Sequence, residues 1–177
     1  MRKEIASLIT KYAEVYNDFE KLQAGENSLL PGGDQKTGVI AEFYAKCYVE
    51  YIYGIKATYA ASGESFDLSY TIDGKTLKIQ VKGVSGYSKT RTIAPLSLIN
   101  REGKPAFDQL YLIDLDRNFF PVALYINTYK QIVKKVGNNK TSVKGSKMKN
   151  TIVDNKPGSD FYDFKENKIR DLINAIS

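Results

Sequence analysis

Apolar positions Ile5, Leu8, Ile9, Tyr12, Val15, Tyr16, Phe19 and Leu22 recur at helical spacing and predict an amphipathic helix over residues 2–23. The following run, AGENSLLPGGDQK, reads as a loop by its Gly, Pro and Asn content. A second helix is expected from about Thr37 to Tyr53, with Gly54 as its C-cap. One broad face of it carries Ile40, Phe43, Tyr44, Cys47, Tyr48 and Tyr51. Another side is lined by Gly38, Ala41, Ala45 and Val49, small enough for close approach to a sheet, and Glu42 lies within that strip. Ile55 to Ala61 can form a short strand. From Ser65 to Gly83 the period changes to two: SFDLSYTIDGKTLKIQVKG holds two alternating runs around Asp73-Gly74, a strong signal for an antiparallel hairpin.

If Asp73 and Gly74 form a two-residue loop, Ile72 faces Lys75 and the rest of the register follows. Tyr70 then pairs with Leu77, Leu68 with Ile79 and Phe66 with Val81 on an apolar face. Thr71 pairs with Thr76 and Ser69 with Lys78 on the other. That second face also receives Asp67 opposite Gln80, with Cβ atoms about 4.5–5.5 Å apart, and Lys82 one pleat further on. Polar residues on the outer face of a hairpin are ordinarily just solvated. A carboxylate, a second oxygen ligand and an ammonium converging on one rigid hairpin are also the parts of a magnesium-dependent phosphodiesterase. The metal takes hard oxygen ligands and acidifies a water that attacks phosphorus, while Lys82 orients that water or neutralises the phosphate.

Beyond the hairpin, Gly83 to Thr92 reads as a loop holding Lys89 and Arg91, and Pro95 to Asn100 as the start of a helix. Phe107 to Leu115 and Phe119 to Ile126 form a second strand pair around Asp116-Arg117-Asn118. Asn127 to Val136 is expected to be helical. A capping-box-like start over Asp163 to Glu166 opens a last helix bearing Ile169, Leu172, Ile173 and Ile176. No internal repeat is visible.

Composition narrows the chemistry. The 177 residues, 42% hydrophobic and 26% charged, suit one globular domain. Its catalytic core is expected over about 37–126, a basic loop over about 130–150 and the C-terminal helix over about 163–176. No apolar stretch is long enough to span a membrane, and Glu4, Glu14, Asp18 and Glu20 sit poorly with a signal peptide, so the expected location is the cytoplasm. Cys47 is the only cysteine, which excludes an intrachain disulfide and a cysteine-rich zinc site. The absence of histidine excludes Ser-His-Asp and Cys-His hydrolysis, His-ligated zinc and histidine general-base nucleases. Walker-type and GxGxxG phosphate loops are missing too. The net charge of +6 is local: Lys130, Lys134, Lys135, Lys140, Lys144, Lys147 and Lys149 fall within residues 130–150, which contain no acid. Such a stretch is either a solvated loop or a source of salt-sensitive phosphate contacts. It lacks the interleaved aromatic face of a membrane-surface helix.

The order Glu42, Asp67, then Gln80-Val81-Lys82 resembles the PD-(D/E)XK nuclease superfamily, in which a helix Glu, a strand Asp and an (E/D/Q)-x-K triplet follow in this order. The resemblance covers roughly Gly38 to Gly83. It is supported by GVIAEFYAKCYVEYIYG as the helix before the hairpin and by ASGESFDLSY as the lead into the Asp. Phe66 stands where the family often has Pro, and Gln80 replaces the usual acid, removing one negative charge from the metal site. The resemblance implies a restriction-endonuclease-like α/β fold, a central mixed β-sheet flanked by α-helices. It implies cleavage of double-stranded DNA by Glu42, Asp67, Gln80 and Lys82. Mg2+, with Mn2+ as a substitute, would be held by Asp67, Gln80 and the Val81 main-chain carbonyl, with Glu42 joining through water. DNA contacts would come from Lys89, Arg91, Lys134, Lys135, Lys140, Lys144, Lys147 and Lys149. A type II restriction endonuclease acting as a homodimer is the first expectation. A Holliday-junction resolvase or other structure-selective repair nuclease is the second, and a catalytically inactive DNA-binding module is the reading from another class.

Overall fold

The computed structural model describes residues 2–24, 30–31, 36–86, 96–136, 147–148 and 167–177. Its elements are α1 (Arg2–Gln23), α2 (Lys36–Tyr53), β1 (Thr58–Tyr59), β2 (Leu68–Ile72), β3 (Lys75–Ser85), β4 (Leu96–Ser97), β5 (Gln109–Leu115), β6 (Pro121–Thr128), α3 (Tyr129–Val136), β7 (Lys147–Met148) and α4 (Ile169–Ile176). Five strands make one mixed sheet in the order β1-β2-β3-β5-β6, so the fold is α/β, a mixed sheet flanked by helices. β2 and β3 are antiparallel, β3 and β5 parallel, and β5 and β6 antiparallel.

Asp73 and Gly74 both take positive φ, 50° and 72°, the combination that a two-residue turn needs to match the strands' right-handed twist. The register is therefore the expected one from Ile72–Lys75 back to Leu68–Ile79. The β5–β6 turn is held by Asp116, whose Oδ1 accepts the Asn118 and Phe120 amides at 2.7 and 2.9 Å.

Two apolar layers cover the sheet. On one face Ala41, Ala45 and Val49 of α2 lie fully buried with Leu68, Ile79, Val81 and Tyr111, and Leu172 of α4 joins them. The small-residue strip of α2 is thus the side against the sheet. A Cβ built on Gly83 would stand 2.7 Å from the Ala41 Cβ, a separation only glycine permits. The other face gathers Val84, Leu98, Phe107, Leu110, Leu112 and Ile132 of α3. β5, QLYLIDL, has buried residues on both faces, as a strand flanked by two layers should. Within the second layer region, the Asn127 amide is buried and has no hydrogen-bond partner among the described residues.

The structure corrects three expectations. Pro95 to Asn100 does not start a helix: Leu96–Ser97 is a strand paired with Lys147–Met148, and Leu98 faces the core. The Asn100 Oδ1 then accepts the Glu102 and Lys104 amides and turns the chain, a local hydrogen-bonding habit of Asn that competes with helix. The C-terminal helix begins at Ile169, because Asn167 is instead bridged to Tyr125; Asp163 to Glu166 lie outside the described residues. Phe66 is the third, and it belongs to the site. No described helix is long and apolar enough to cross a membrane.

Candidate active site

The hairpin ladder ends one residue earlier than its register implies. Leu68 faces Ile79, yet the Asp67 amide also donates to the Ile79 carbonyl, at 2.8 Å, while the Asp67 carbonyl accepts the Ala60 amide of the β1 side at 2.9 Å. Two residues of one strand thus oppose one of the other, the signature of a β-bulge. The alternation slips by one position. Phe66 packs with the layer of Leu98 and Phe107 rather than beside Val81, where the Lys78 ammonium sits 4.9 Å from its ring centre. Asp67 is correspondingly not a plain cross-strand neighbour of Gln80. It accepts a 2.6 Å hydrogen bond from the Val81 amide through Oδ2, and the Gln80 side-chain amide donates to the same oxygen.

Past the end of β2, Val81 of β3 faces no strand on that side among the described residues, and the site is built there. The Val81 amide is taken by Asp67, and its carbonyl accepts the Gln80 side-chain nitrogen at 3.3 Å. From α2, held close by Ala41 against Gly83, Glu42 brings the second carboxylate. Burial first, and then the charge of Asp67, push the Glu42 carboxyl up from 4.5 to about 8, against the opposing pull of Lys82. Burial also raises Asp67, opposed by the Val81 amide and by Lys82. Glu42, Asp67, Gln80, Val81 and Lys82 are therefore one electrostatic cluster.

Desolvating two carboxylates beside each other is unfavourable unless protons or cations compensate. Lys82 supplies one positive charge, and the oxygens of Glu42, Asp67 and Val81 are the hard donors that Mg2+ prefers. No group of three or more His, Cys, Asp or Glu suited to a metal occurs among the described residues, so a metal here needs amide or carbonyl oxygens as well. As the structure stands, Gln80 turns its nitrogen, not its oxygen, towards Asp67 and Val81. Its NH2 group therefore engages the two oxygens that a cation would share, and Gln80 can join as a ligand only after its amide turns over.

Of the residues expected to hold DNA, Lys134 is exposed on α3, which packs on the sheet face opposite α2. Lys135 also belongs to α3, and Lys147 lies in β7, paired with Ser97. Lys89, Arg91, Lys140, Lys144 and Lys149 lie outside the described residues. Gly83 was missed as a site residue, although the glycine closing IQVKG, opposite a helix with Gly38, Ala41 and Ala45, was the available signal.

No protein-family model and no curated protein matches this chain. Among solved structures it is similar to a bacterial homing endonuclease, I-Ssp6803I, at 18% identity with a TM-score of 0.42, covering 80% of this chain and 93% of that one. At that distance the functional reading rests on the residues themselves.

Proposed function

We propose that this chain is a magnesium-dependent DNA endonuclease of PD-(D/E)XK type, a type II restriction endonuclease that works in the cytoplasm as a homodimer so that both strands are cut. The observation that carries the reading is the meeting of two desolvated carboxylates from different elements, Glu42 and Asp67, beside Lys82 at this edge of β3. A soluble fold gains nothing in stability from such a pair, and strongly perturbed carboxylates cluster where chemistry is done.

Bound by Glu42, Asp67 and the Val81 carbonyl, Mg2+ would supply an acidified water and charge neutralisation at phosphate. The chain's own part is preorganisation. The Val81 amide fixes the Asp67 carboxylate, α2 excludes water from Glu42, and the Lys82 ammonium holds positive charge where a non-bridging phosphate oxygen becomes more negative. The lysines of residues 130–150, with Lys89 and Arg91, give affinity for the DNA backbone.

One observation favours a second reading, an inactive DNA-binding module: Gln80 occupies with its NH2 group the oxygens of Asp67 and Val81. Incubation of the purified protein with plasmid and phage DNA in magnesium, then in EDTA, separates the readings. Discrete fragments that vanish in EDTA are expected. Nicking confined to branched DNA would indicate a resolvase, and binding without cleavage the inactive module.

A further inference from the structure

One turn of α2 beyond Glu42 stands Lys46, and one turn beyond that stands Glu50. Residues four apart share a helix flank, with Cβ atoms about 5–6 Å apart, so Lys46 has a carboxylate within reach on either side. All three side chains are half-buried. Glu followed by Lys at this spacing is the better order along a helix, so helix geometry favours Glu42 as the partner. The structure shows the other choice: the Lys46 ammonium bonds Glu50 Oε1 at 2.7 Å. Contacts with β1 account for it. The same Oε1 accepts the Ala57 amide at 3.1 Å, which fixes Glu50 to the main chain leading into β1, and the ring centre of Tyr59 lies 5.9 Å from the ammonium. Tyr59 pairs with Leu68, the residue after Asp67, and its hydroxyl is held above its usual range by burial first, then by Cys47, Glu42 and Glu50. Glu42, Lys46, Glu50 and Tyr59 are thus neighbours between α2 and β1. Among the described residues, the charges that act on Glu42 are nevertheless those of Asp67 and Lys82.

We infer that Glu50 is a positioning residue for the metal site: by holding Lys46 it keeps a second ammonium off Glu42 and leaves that carboxylate open to Mg2+. The inference rests on the metal-binding reading above and deepens it. An ammonium paired with Glu42 would have to be displaced before magnesium could share the carboxylate oxygens. With Lys46 turned to Glu50, Lys82 is the cation left beside the site. The charge of Glu50 does not reach Glu42 by itself. Eight residues of helix separate the two, about 12 Å along the axis, which exceeds the distance over which partly exposed charges act at physiological salt. An effect of Glu50 on the metal must therefore pass through Lys46.

The test is calorimetric titration of the full chain with MgCl2 at physiological salt and without DNA, which reads the metal site whether or not the protein cleaves. Glu50→Gln removes the charge but can still accept the Ala57 amide, so the circular dichroism should be unchanged while magnesium affinity falls about fivefold, the scale of a partly screened ion pair. Lys46→Met in that background should restore the parent affinity, and Lys46→Met by itself should stay within about twofold of it. Parent affinity in Glu50→Gln would overturn the inference. So would a double variant as weak as Glu50→Gln, because Glu50 would then act only through its bond to Ala57. A Lys46→Met chain that binds magnesium about fivefold tighter than the parent would overturn it too, since the ammonium would already be acting on Glu42. A parent that takes up no magnesium removes the metal reading and this inference together. The expected pattern in a parent that cuts no DNA would uphold the inference and remove only the nuclease reading.

Discussion

From its turn to Leu68 and Ile79 the hairpin keeps the pairing that Asp73-Gly74 dictates, whereas one residue further on Asp67 breaks it. At the turn end the facing polar side chains are exposed, and Thr71 and Thr76 bond each other at 2.9 Å. Nothing there opposes the regular ladder. At the other end the Asp67 amide and carbonyl point to different neighbouring strands, and the slip sets its half-buried carboxylate against the Val81 amide and beside Glu42. The polar groups of the hairpin are thus of two kinds. Those near the turn are placed by side-chain alternation and can drift in water; those near α2 are placed by the backbone itself. A bulge costs one regular pair and gains a carboxylate whose position is set by main-chain atoms, as bulges beside functional sites commonly do.

The largest expected break in this comparison is Asp67→Asn. Its amide oxygen can still accept from Val81, so folding and DNA binding should persist while magnesium-dependent cleavage is lost. Thr71→Ala, at the other end of the same strand, should leave cleavage at the parent rate. Turnover by the Asp67→Asn protein would show the bulge to be structural only.

Lys82→Ala comes next. Its ammonium already acts on both Glu42 and Asp67, and a cation that strengthens its contact as charge develops acts on rate more than on binding. Single-turnover cleavage should fall roughly a hundredfold, the scale of losing one such group, with little change in affinity for DNA. Lys82→Arg keeps the charge without the compact geometry and should rescue poorly. Parent-like rates in Lys82→Ala at saturating DNA and magnesium would remove Lys82 from the chemistry.

Stability separates the two ends in a different way. Gly83→Ala forces a Cβ to within 2.7 Å of the Ala41 Cβ and 3.1 Å of the Thr37 carbonyl, so α2 must shift; overpacking of this kind costs about 1–3 kcal/mol. Gly74→Ala meets nothing within 4 Å and suffers only its φ of 72°, which costs about 1–2 kcal/mol for a residue with a Cβ. Urea unfolding should find both variants less stable, and only Gly83→Ala should also lose magnesium affinity, because only it moves Glu42.

These ends were unequally legible in the sequence. The turn, the five-residue register and the small-residue face of α2 were all written in local pattern: Asp-Gly demands positive φ, alternation fixes which side chains pair, and Ala41 and Ala45 leave room for a strand. The bulge was not, since Phe66 satisfies an apolar face equally well on either side of the sheet. Asp67 and Gln80 meet as expected, by a direct side-chain hydrogen bond to the oxygen that also accepts the Val81 amide, but across a bulge rather than a regular pair. The segment Leu96–Ser97 failed for a similar reason, its strand partner lying some fifty residues away at Lys147–Met148, where no local pattern reaches.

A smaller effect should appear in pH dependence. Between about 4.5 and 8 the folded chain keeps a proton on Glu42 that the unfolded chain has released, so stability is full below that window and declines as pH rises through it. Asp67, also raised, acts in the same direction. The melting temperature of the metal-free protein should therefore fall from acid to pH 8, and Glu42→Gln should flatten the curve and melt higher at its alkaline end. Superimposable curves for parent and variant would mean that Glu42 is solvated.

The smallest change tests whether the site end is poised or plugged. Gln80 now donates to Asp67 and to the Val81 carbonyl, so binding of magnesium must break two hydrogen bonds and turn the amide before its oxygen can help. Gln80→Glu removes the donor and adds a negative charge. Without metal it places a third carboxylate beside Glu42 and Asp67, which should destabilise the protein; with metal it should tighten magnesium by about tenfold, near 1.4 kcal/mol. The two effects have opposite sign in one variant, so thermal melts with and without magnesium read them together. A parent that cleaves DNA, with Gln80→Glu cleaving at lower magnesium, fits an amide that turns over during binding. A parent that is silent while Gln80→Glu cleaves would make Gln80 the residue that disables the site. If magnesium moves neither melting curve, this edge of β3 is not a metal site, and the half-buried pair of Glu42 and Asp67 is compensated by protons and Lys82 alone.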